Sequence, residues 1–253
     1  MRLIRALILG VLALSMWLAP IGAGARAQSA PQDDGQASVF FLGTADPQQN
    51  YSVKWYGTAF FVGSDGLAVT ASHVVNHVMR EPGRYVLIAL WNHEFYTASV
   101  VCAYPLPYNP GPIYRDIAEI RLTDPLTLPH KPWSFVKGVP EYTYTPHEGA
   151  LPTFPALPVA SGGASGTVHI PGFGFVSAIP RIHISRGSVA RTFQQNGVPL
   201  VELALTQPIE DGDSGAPILN EQGGVVGVVS RQDDVTRSRA YGIDAAVLDK
   251  PCQ

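Results

Sequence analysis

Short apolar segments, each bounded by glycine, proline or polar residues, recur through most of the chain. A series of short strands with turns between them is typical of small antiparallel barrels. The first series predicts such a barrel over residues 37–124. Its predicted strands are Ser38–Leu42, Ser52–Val62, Leu67–Ala71, Tyr85–Leu90, Phe95–Cys102 and Ile117–Leu122.

A second series predicts another barrel, with a tail, over residues 165–253. Residues 125–164 are rich in proline and are predicted to cross irregularly between the barrels, with a strand hidden in Trp133–Tyr144. The tail Ile243–Lys250 is a candidate short helix or final strand. The predicted strands of the second barrel are Ser165–Gly174, Arg181–Arg186, Ser188–Phe193, Leu200–Leu205, Ala216–Asn220 and Val225–Ser230.

The N-terminus has the pattern of a signal peptide over residues 1–27. Two arginines precede the apolar segment Ala6–Ala19, and Ala25-Arg26-Ala27 is a small-x-small cleavage site. The apolar segment is short for a membrane span of about 20 residues. We therefore expect an exported chain, periplasmic or extracellular, with no stable membrane anchor after cleavage; an uncleaved anchor is the alternative. Residues 28–36 are small and polar and are predicted to form a flexible leader.

Charge and cysteine content limit the partners and the redox state. The chain has a formal net charge of −3, and removal of the signal peptide takes away three arginines and no acidic residue, which leaves −6. Basic residues do not cluster, so nucleic acid is not expected as a partner. In an exported protein, Cys102 and Cys252 predict a disulfide that ties the tail to the first barrel; two separate thiols are the alternative.

The segment Gly212-Asp213-Ser214-Gly215-Ala216-Pro217 presents one serine between two apolar segments. Its glycines let the backbone bend sharply and leave amide N–H groups free to point into one small volume. A serine hydroxyl beside such donors can attack a carbonyl and stabilise the oxyanion that results. The same residues also occur as an ordinary turn, so the functional interpretation needs a base and an acid elsewhere.

Two upstream residues are candidates for that base and that acid. His73 lies between a predicted hairpin and a predicted helix, where a rigid element holds it and solvent reaches it, as a general base requires. The alternative is a surface histidine that begins a helix. Asp116 begins a predicted strand, where a partly buried carboxylate needs a donor such as an imidazole N–H. The alternatives there are a strand cap or a partner for Arg115.

Three segments together resemble the chymotrypsin-like (trypsin-like) serine protease family: Thr70-Ala71-Ser72-His73, Asp116-Ile117-Ala118-Glu119-Ile120 and the serine segment. The order His, Asp, Ser is that of this family and not that of subtilisins or α/β-hydrolases. The resemblance covers roughly residues 37–247. It implies an all-β fold of two antiparallel six-stranded β-barrels with the active site in the cleft between them.

The resemblance also implies the roles of the site residues. Ser214 is the expected nucleophile, His73 the general base and Asp116 the residue that orients the imidazole. The backbone N–H groups of Gly212 and Ser214 form the expected oxyanion hole. The expected activity is that of an endopeptidase on peptide or protein substrates, without a cofactor. A metal is not expected either, because His73 and His77 have no third ligand nearby.

The residues around the serine depart from common members of the family. The leader lacks the apolar start whose freed amine pairs with the aspartate before the serine, so Asp213 is expected to pair with an arginine of the second barrel. Pro208 stands where trypsin has its aspartate, which favours an apolar or small side chain before the cut. Ser230 is expected to bind the substrate backbone, and the opposite wall of the pocket is expected to come from Tyr241-Gly242-Ile243, with Gly242 as the substrate-binding residue. The candidate arginine partners of Asp213 are Arg181, Arg186 and Arg191.

Two other functions would use the same residues. A catalytically silent member of the fold would act as a binding or regulatory protein, and an esterase would use the same three side chains on esters. The presence of His73, Asp116 and Ser214 together argues against the first. Their order and the two-barrel strand pattern favour peptide bonds over esters.

Overall fold

The structure is a computed structural model that describes residues 34–49, 52–104, 106, 112–123, 133–134, 143–147, 149–174, 181–233, 235–250 and 252. The predicted signal peptide and most of the predicted leader lie outside these residues. Asp33–Gln253 form one compact unit. Among the described residues, no helix is long and apolar enough to cross a membrane.

Strands dominate the described part of the chain, and its one α-helix there, α1, spans Ser72–Arg80. The strands are β1 Val39–Asp46, β2 Ser52–Phe61, β3 Leu67–Thr70, β4 Val86–Trp91, β5 Glu94–Ala103, β6 Ala118–Thr123, β7 Trp133–Ser134, β8 Thr143–Pro146, β9 Thr167–Gly174, β10 Arg181–Gln195, β11 Val198–Gln207, β12 Pro217–Asn220, β13 Val225–Gln232 and β14 Arg239–Asp244.

The first six strands close into a barrel in the order β4-β1-β2-β3-β6-β5, because β4 also pairs with β5. All neighbours in this ring are antiparallel. The interior is filled by buried side chains that include Phe40, Phe61, Tyr96 and Ile120. Phe154 of the crossing segment joins this core and stacks on Phe61 with ring centroids 4.4 Å apart.

The last six strands form a second closed barrel in the order β10-β11-β14-β13-β12-β9. These neighbours are also antiparallel. Its core consists of aliphatic side chains such as Ile170, Leu203, Ile218 and Val229. The predicted all-β fold of two antiparallel six-stranded barrels is therefore confirmed.

Two details of the second barrel differ from the predicted strands. The predicted strands Arg181–Arg186 and Ser188–Phe193 are one continuous strand, β10, whose register shifts between Arg186 and Gly187. A β-bulge inserts an extra residue and bends the strand. The polar residues at this bulge therefore resemble a turn in the sequence. The sixth strand of this barrel is β14, which the sequence analysis recognised only where it overlaps the tail Ile243–Lys250.

The two barrels meet through a shared apolar cluster. Phe60, Val69 and Ile117 of the first barrel are buried in this cluster with Val228 and Ile243 of the second. Burial of apolar surface contributes about 25 cal/mol per Å², so this cluster fixes one barrel against the other. Asp116 directly precedes Ile117 in the chain, so the packing of Ile117 in this cluster also determines where the carboxylate of Asp116 lies.

A disulfide joins Cys102 on β5 to Cys252 near the C-terminus, with the sulfur atoms 2.05 Å apart. The alternative of two separate thiols is therefore wrong. The bridge ties the tail, which follows the second barrel, to the first barrel.

Candidate active site

The candidate base and acid lie side by side at the barrel junction. His73 is the second residue of α1, directly after β3, and Asp116 lies between a short 3-10 helix and β6. Nδ1 of His73 lies 2.8 Å from Oδ2 and 2.9 Å from Oδ1 of Asp116. The backbone N–H of His73 also donates to Oδ1, at 2.9 Å. His73 thus has two donors to the carboxylate of Asp116, its ring Nδ1 and its backbone N–H.

The carboxylate of Asp116 is 4% exposed and has a third donor, the hydroxyl of Ser230 on β13. A buried carboxylate is stable only when it is hydrogen-bonded, and here both of its oxygens accept. Because a carboxylate accepts but does not donate, Nδ1 of His73 carries the proton and Nε2 is left as the basic nitrogen.

Ser214 lies in the turn between β11 and β12, and its hydroxyl points to the carbonyl oxygen of Ser230 at 3.5 Å. Ser230 therefore contacts both the serine and the acid: its hydroxyl donates to Asp116 and its carbonyl faces Ser214. The structure thus pairs His73 with Asp116 directly and links Ser214 to that pair through Ser230; among the described residues, Ser214 and His73 share no hydrogen bond. Ser230, which the sequence predicts as a residue that binds the substrate backbone, also donates a hydrogen bond to Asp116.

The turn around Ser214 leaves two N–H groups available. Among the described residues, no hydrogen-bond acceptor receives the N–H of Gly212 or of Ser214, whereas Asp213, Gly215 and Ala216 all donate to backbone carbonyls. Gly212 has a φ of 103° and Gly215 a φ of 86°, both in the region that favours glycine. At Gly215 a Cβ atom would lie 2.3 Å from the carbonyl oxygen of Thr58, so only glycine fits there.

Thr58 on β2 fastens this turn to the first barrel, a contact that sequence analysis missed. Its hydroxyl donates to the carbonyl of Gly212 at 2.8 Å, and its N–H donates to the carbonyl of Ser214 at 2.9 Å. The same hydroxyl accepts from the N–H of Phe173 at 3.0 Å. The fully buried Thr58 thus holds Gly212 through its side chain and Ser214 through its backbone, and these are the two residues whose N–H groups are unused.

The predicted arginine partner of Asp213 is wrong, because the residue that pairs with Asp213 is His183 on β10. Nε2 of His183 lies 2.9 Å from Oδ2 of Asp213, and the backbone N–H of Glu210 donates to the same oxygen at 2.8 Å. The hydrogen bond to Asp213 raises the pKa of His183 above its ordinary value. Arg191 instead bonds Glu202, and among the described residues no arginine contacts Asp213.

The residues predicted to bind substrate lie on three elements. Pro208 follows β11 and is exposed, and its carbonyl accepts from the buried hydroxyl of Ser185 at 2.7 Å. Gly242 lies on β14, paired with Val229 of β13. Their part in substrate binding stays a prediction. Among the described residues, no group of three or more His, Cys, Asp or Glu side chains could hold a metal ion.

Two closed barrels with a histidine, an aspartate and a serine at their junction define the trypsin-like class of serine peptidases. The family model described as trypsin-like peptidase domain matches residues 57–228, and the chain belongs to this family. Members of this class are serine-type hydrolases. A comparison with curated protein sequences gives no match.

Solved structures of proteases share the fold. The HtrA-type protease AlgW with a decapeptide is 12% identical, with a TM-score of 0.57 over 85% of this chain and 62% of that one. The Rv3671c protease from M. tuberculosis, in its active form, is 17% identical, with a TM-score of 0.55 over 85% of this chain and 80% of that one. The chain thus spans less than two thirds of the length of AlgW.

Proposed function

We propose that this chain is an exported serine endopeptidase that cleaves peptide bonds through Ser214, His73 and Asp116, by way of an acyl-enzyme. The observation that carries the proposal is the bonding of the Asp116 carboxylate. It accepts from the ring and the backbone of His73 and from Ser230, whose carbonyl faces the hydroxyl of Ser214. A serine, a base and an oriented acid are the set that nucleophilic catalysis requires.

In the first half of the reaction, Oγ of Ser214 attacks the carbonyl carbon of the substrate while Nε2 of His73 takes the hydroxyl proton. The carbonyl oxygen becomes an oxyanion, which the N–H groups of Gly212 and Ser214 stabilise; one such donor is worth about 3 kcal/mol in the transition state. The imidazolium then gives its proton to the leaving nitrogen, the C–N bond breaks and the amine departs.

In the second half, His73 takes a proton from water, and the hydroxide oxygen attacks the acyl carbon bound to Ser214. The tetrahedral intermediate collapses with loss of Oγ, which recovers its proton from His73. Asp116 stays ionised throughout and stabilises the imidazolium in both halves. The products are a carboxylic acid and an amine, and no redox step or cofactor is involved.

Export is supported by two independent features. The first 27 residues have the charge and hydropathy pattern of a cleaved signal peptide. The Cys102–Cys252 disulfide is of a kind that persists in oxidising compartments such as the periplasm or the medium. Mass spectrometry of the mature chain is expected to show an N-terminus at Gln28.

A fluorophosphonate probe tests the proposed nucleophile. The wild-type protein is expected to be labelled at Ser214, because the probe needs a serine activated by a base. Ser214→Ala should lose all labelling, whereas Ser188→Ala, which removes an exposed serine of β10, should keep it. Folded wild-type protein that resists the probe would favour the silent binding protein.

Thr58→Val removes the hydroxyl that donates to the carbonyl of Gly212 and keeps the shape of the side chain. We expect kcat to fall about fivefold with KM little changed. The hydroxyl loses its bonds to Gly212 and Phe173, which stabilise the turn before Ser214 by about 1 kcal/mol. Thr58→Ser should restore most of the rate. The control is Thr44→Val, at another buried threonine of the same barrel. An equal loss of kcat in that control would mean that Thr58 acts through stability alone.

A further inference from the structure

Asp213 is a buried carboxylate that the catalytic steps do not use. It lies between Gly212 and Ser214, is fully buried, and has one well-bonded oxygen, Oδ2. Oδ1 has no hydrogen-bond partner among the described residues. Burial of a half-satisfied carboxylate costs free energy that an apolar side chain would not, so a functional reason for this group is needed.

The surrounding backbone makes room for this carboxylate. At Gly172 on β9, a Cβ atom would lie 2.1 Å from Oδ1 of Asp213, so a larger residue there would displace the aspartate. In the β9–β10 ladder, Gly172 pairs directly with His183. The position opposite the histidine is thus the one that lacks a side chain, and the carboxylate occupies the space.

His183 is held in one orientation by bonds at both ring nitrogens. The backbone N–H of Gly174 donates to Nδ1 at 3.2 Å, which leaves Nε2 as the nitrogen that carries a proton and donates to Asp213. Among the described residues, the carboxyl of Glu210 and the backbone carbonyl of Arg181 also favour the protonated ring and help to raise the pKa of His183. The pair is therefore built into the second barrel and needs no group from the N-terminus of the chain.

The carboxylate also sets the shape of the loop before the serine. Oδ2 accepts from the N–H of Glu210, and the N–H of Asp213 donates back to the carbonyl of Glu210 at 3.0 Å. These two bonds close the turn over residues 210–213, and the bond to His183 anchors it to β10. The turn ends at Ser214, so its shape decides where the N–H groups of Gly212 and Ser214 point.

We propose that His183 is a positioning residue: its bond to Asp213 holds residues 210–214 in the conformation that aims the Gly212 and Ser214 N–H groups at the oxyanion. This inference rests on the proposed function of those N–H groups. It has one consequence for maturation. Because the partner of Asp213 is internal, the enzyme reaches its active conformation without a newly cut N-terminal ammonium.

Two amide substitutions separate the role of the ring in positioning from its role in packing. His183→Gln places an amide N–H near the position of Nε2, so it keeps the donor to Asp213. His183→Asn places an amide near Nδ1, so it can keep the contact with Gly174 but does not reach Asp213. We expect kcat on a peptide substrate to fall about 100-fold in His183→Asn, comparable to the loss of one oxyanion donor, and less than about fivefold in His183→Gln. KM should change less than about threefold in both.

The control variant is His169→Asn, which alters a half-buried histidine on β9 of the same barrel and should leave kcat unchanged. Mature protein with a short N-terminal extension should also match wild-type kcat. Three results would each overturn the role of His183. They are equal activity of His183→Asn and wild type, equal losses in the Asn and Gln variants, and a loss caused by the extension.

A second readout does not depend on activity. In ¹H–¹⁵N spectra, the amide signals of Gly212 and Ser214 should shift in His183→Asn and stay close to wild type in His183→Gln. If wild-type protein cleaves no peptide, the proposed function fails, yet these shifts still test the positioning role. Unchanged amide signals in a folded His183→Asn would contradict that role whatever the activity.

Discussion

Asp116→Asn lowers kcat by about 10⁴ and leaves the fold intact. Both oxygens of Asp116 accept hydrogen bonds, two from His73 and one from Ser230. An asparagine side chain has one acceptor oxygen and one donor NH₂ group. When its oxygen takes the Oδ1 position and accepts from the backbone N–H of His73, its NH₂ group takes the Oδ2 position and faces the imidazole. Nδ1 must then accept, the proton moves to Nε2, and Nε2 can no longer take the proton of Ser214.

Steady-state kinetics on one peptide measure this effect, and circular dichroism checks the fold. The matched control is Asp244→Asn, which alters a buried aspartate that caps the 3-10 helix after β14 by accepting from Ala246. This control should cost some stability and almost no kcat. A drop of less than tenfold in Asp116→Asn, or an equal drop in Asp244→Asn, would mean that Asp116 does not orient His73.

Removal of the Cys102–Cys252 disulfide should lower the free energy of unfolding by about 5 kcal/mol. The bridge closes a loop with a sequence separation of 150 residues, and a long loop loses the most conformational freedom in the unfolded chain when it is closed. Urea denaturation of Cys102→Ser/Cys252→Ser against wild type measures the difference.

Reductant provides the control for the disulfide prediction. It should bring the urea midpoint of wild type to that of the double variant and should not change the variant. Reduced wild type and the double variant should both keep their cleavage activity at 25 °C, because the bridge lies outside residues 210–214 and outside the His73–Asp116 pair. Identical midpoints of oxidised and reduced wild type would contradict a stabilising role for the bridge.

Much of the fold followed from the sequence because its strands are short, apolar and clearly bounded. The predicted strand Leu67–Ala71 became β3, Leu67–Thr70, and Ser52–Val62 became β2, Ser52–Phe61. The bulge at Gly187 and the strand β14 were harder to predict. A bulge has the composition of a turn, and β14 mixes polar and small residues that have no clear alternation.

The pairing of His73 with Asp116 could be predicted because the order of three short motifs is specific. The partner of Asp213 could not, since it depends on the register of β9 with β10, which places His183 opposite Gly172. Charge complementarity alone favoured an arginine. The role of Thr58 was hidden for a similar reason: a threonine inside an apolar strand has no sequence signal that distinguishes packing from hydrogen bonding across the barrel junction.

The most direct test of the proposed peptidase is a cleavage profile on a mixture of peptides, with wild type compared with Ser214→Ala. Wild type should cut a defined subset of peptides, with apolar or small side chains before the cut, and Ser214→Ala should cut none of them. No cleavage by folded wild type, or the same cuts by Ser214→Ala, would contradict the assignment of a peptidase whose nucleophile is Ser214.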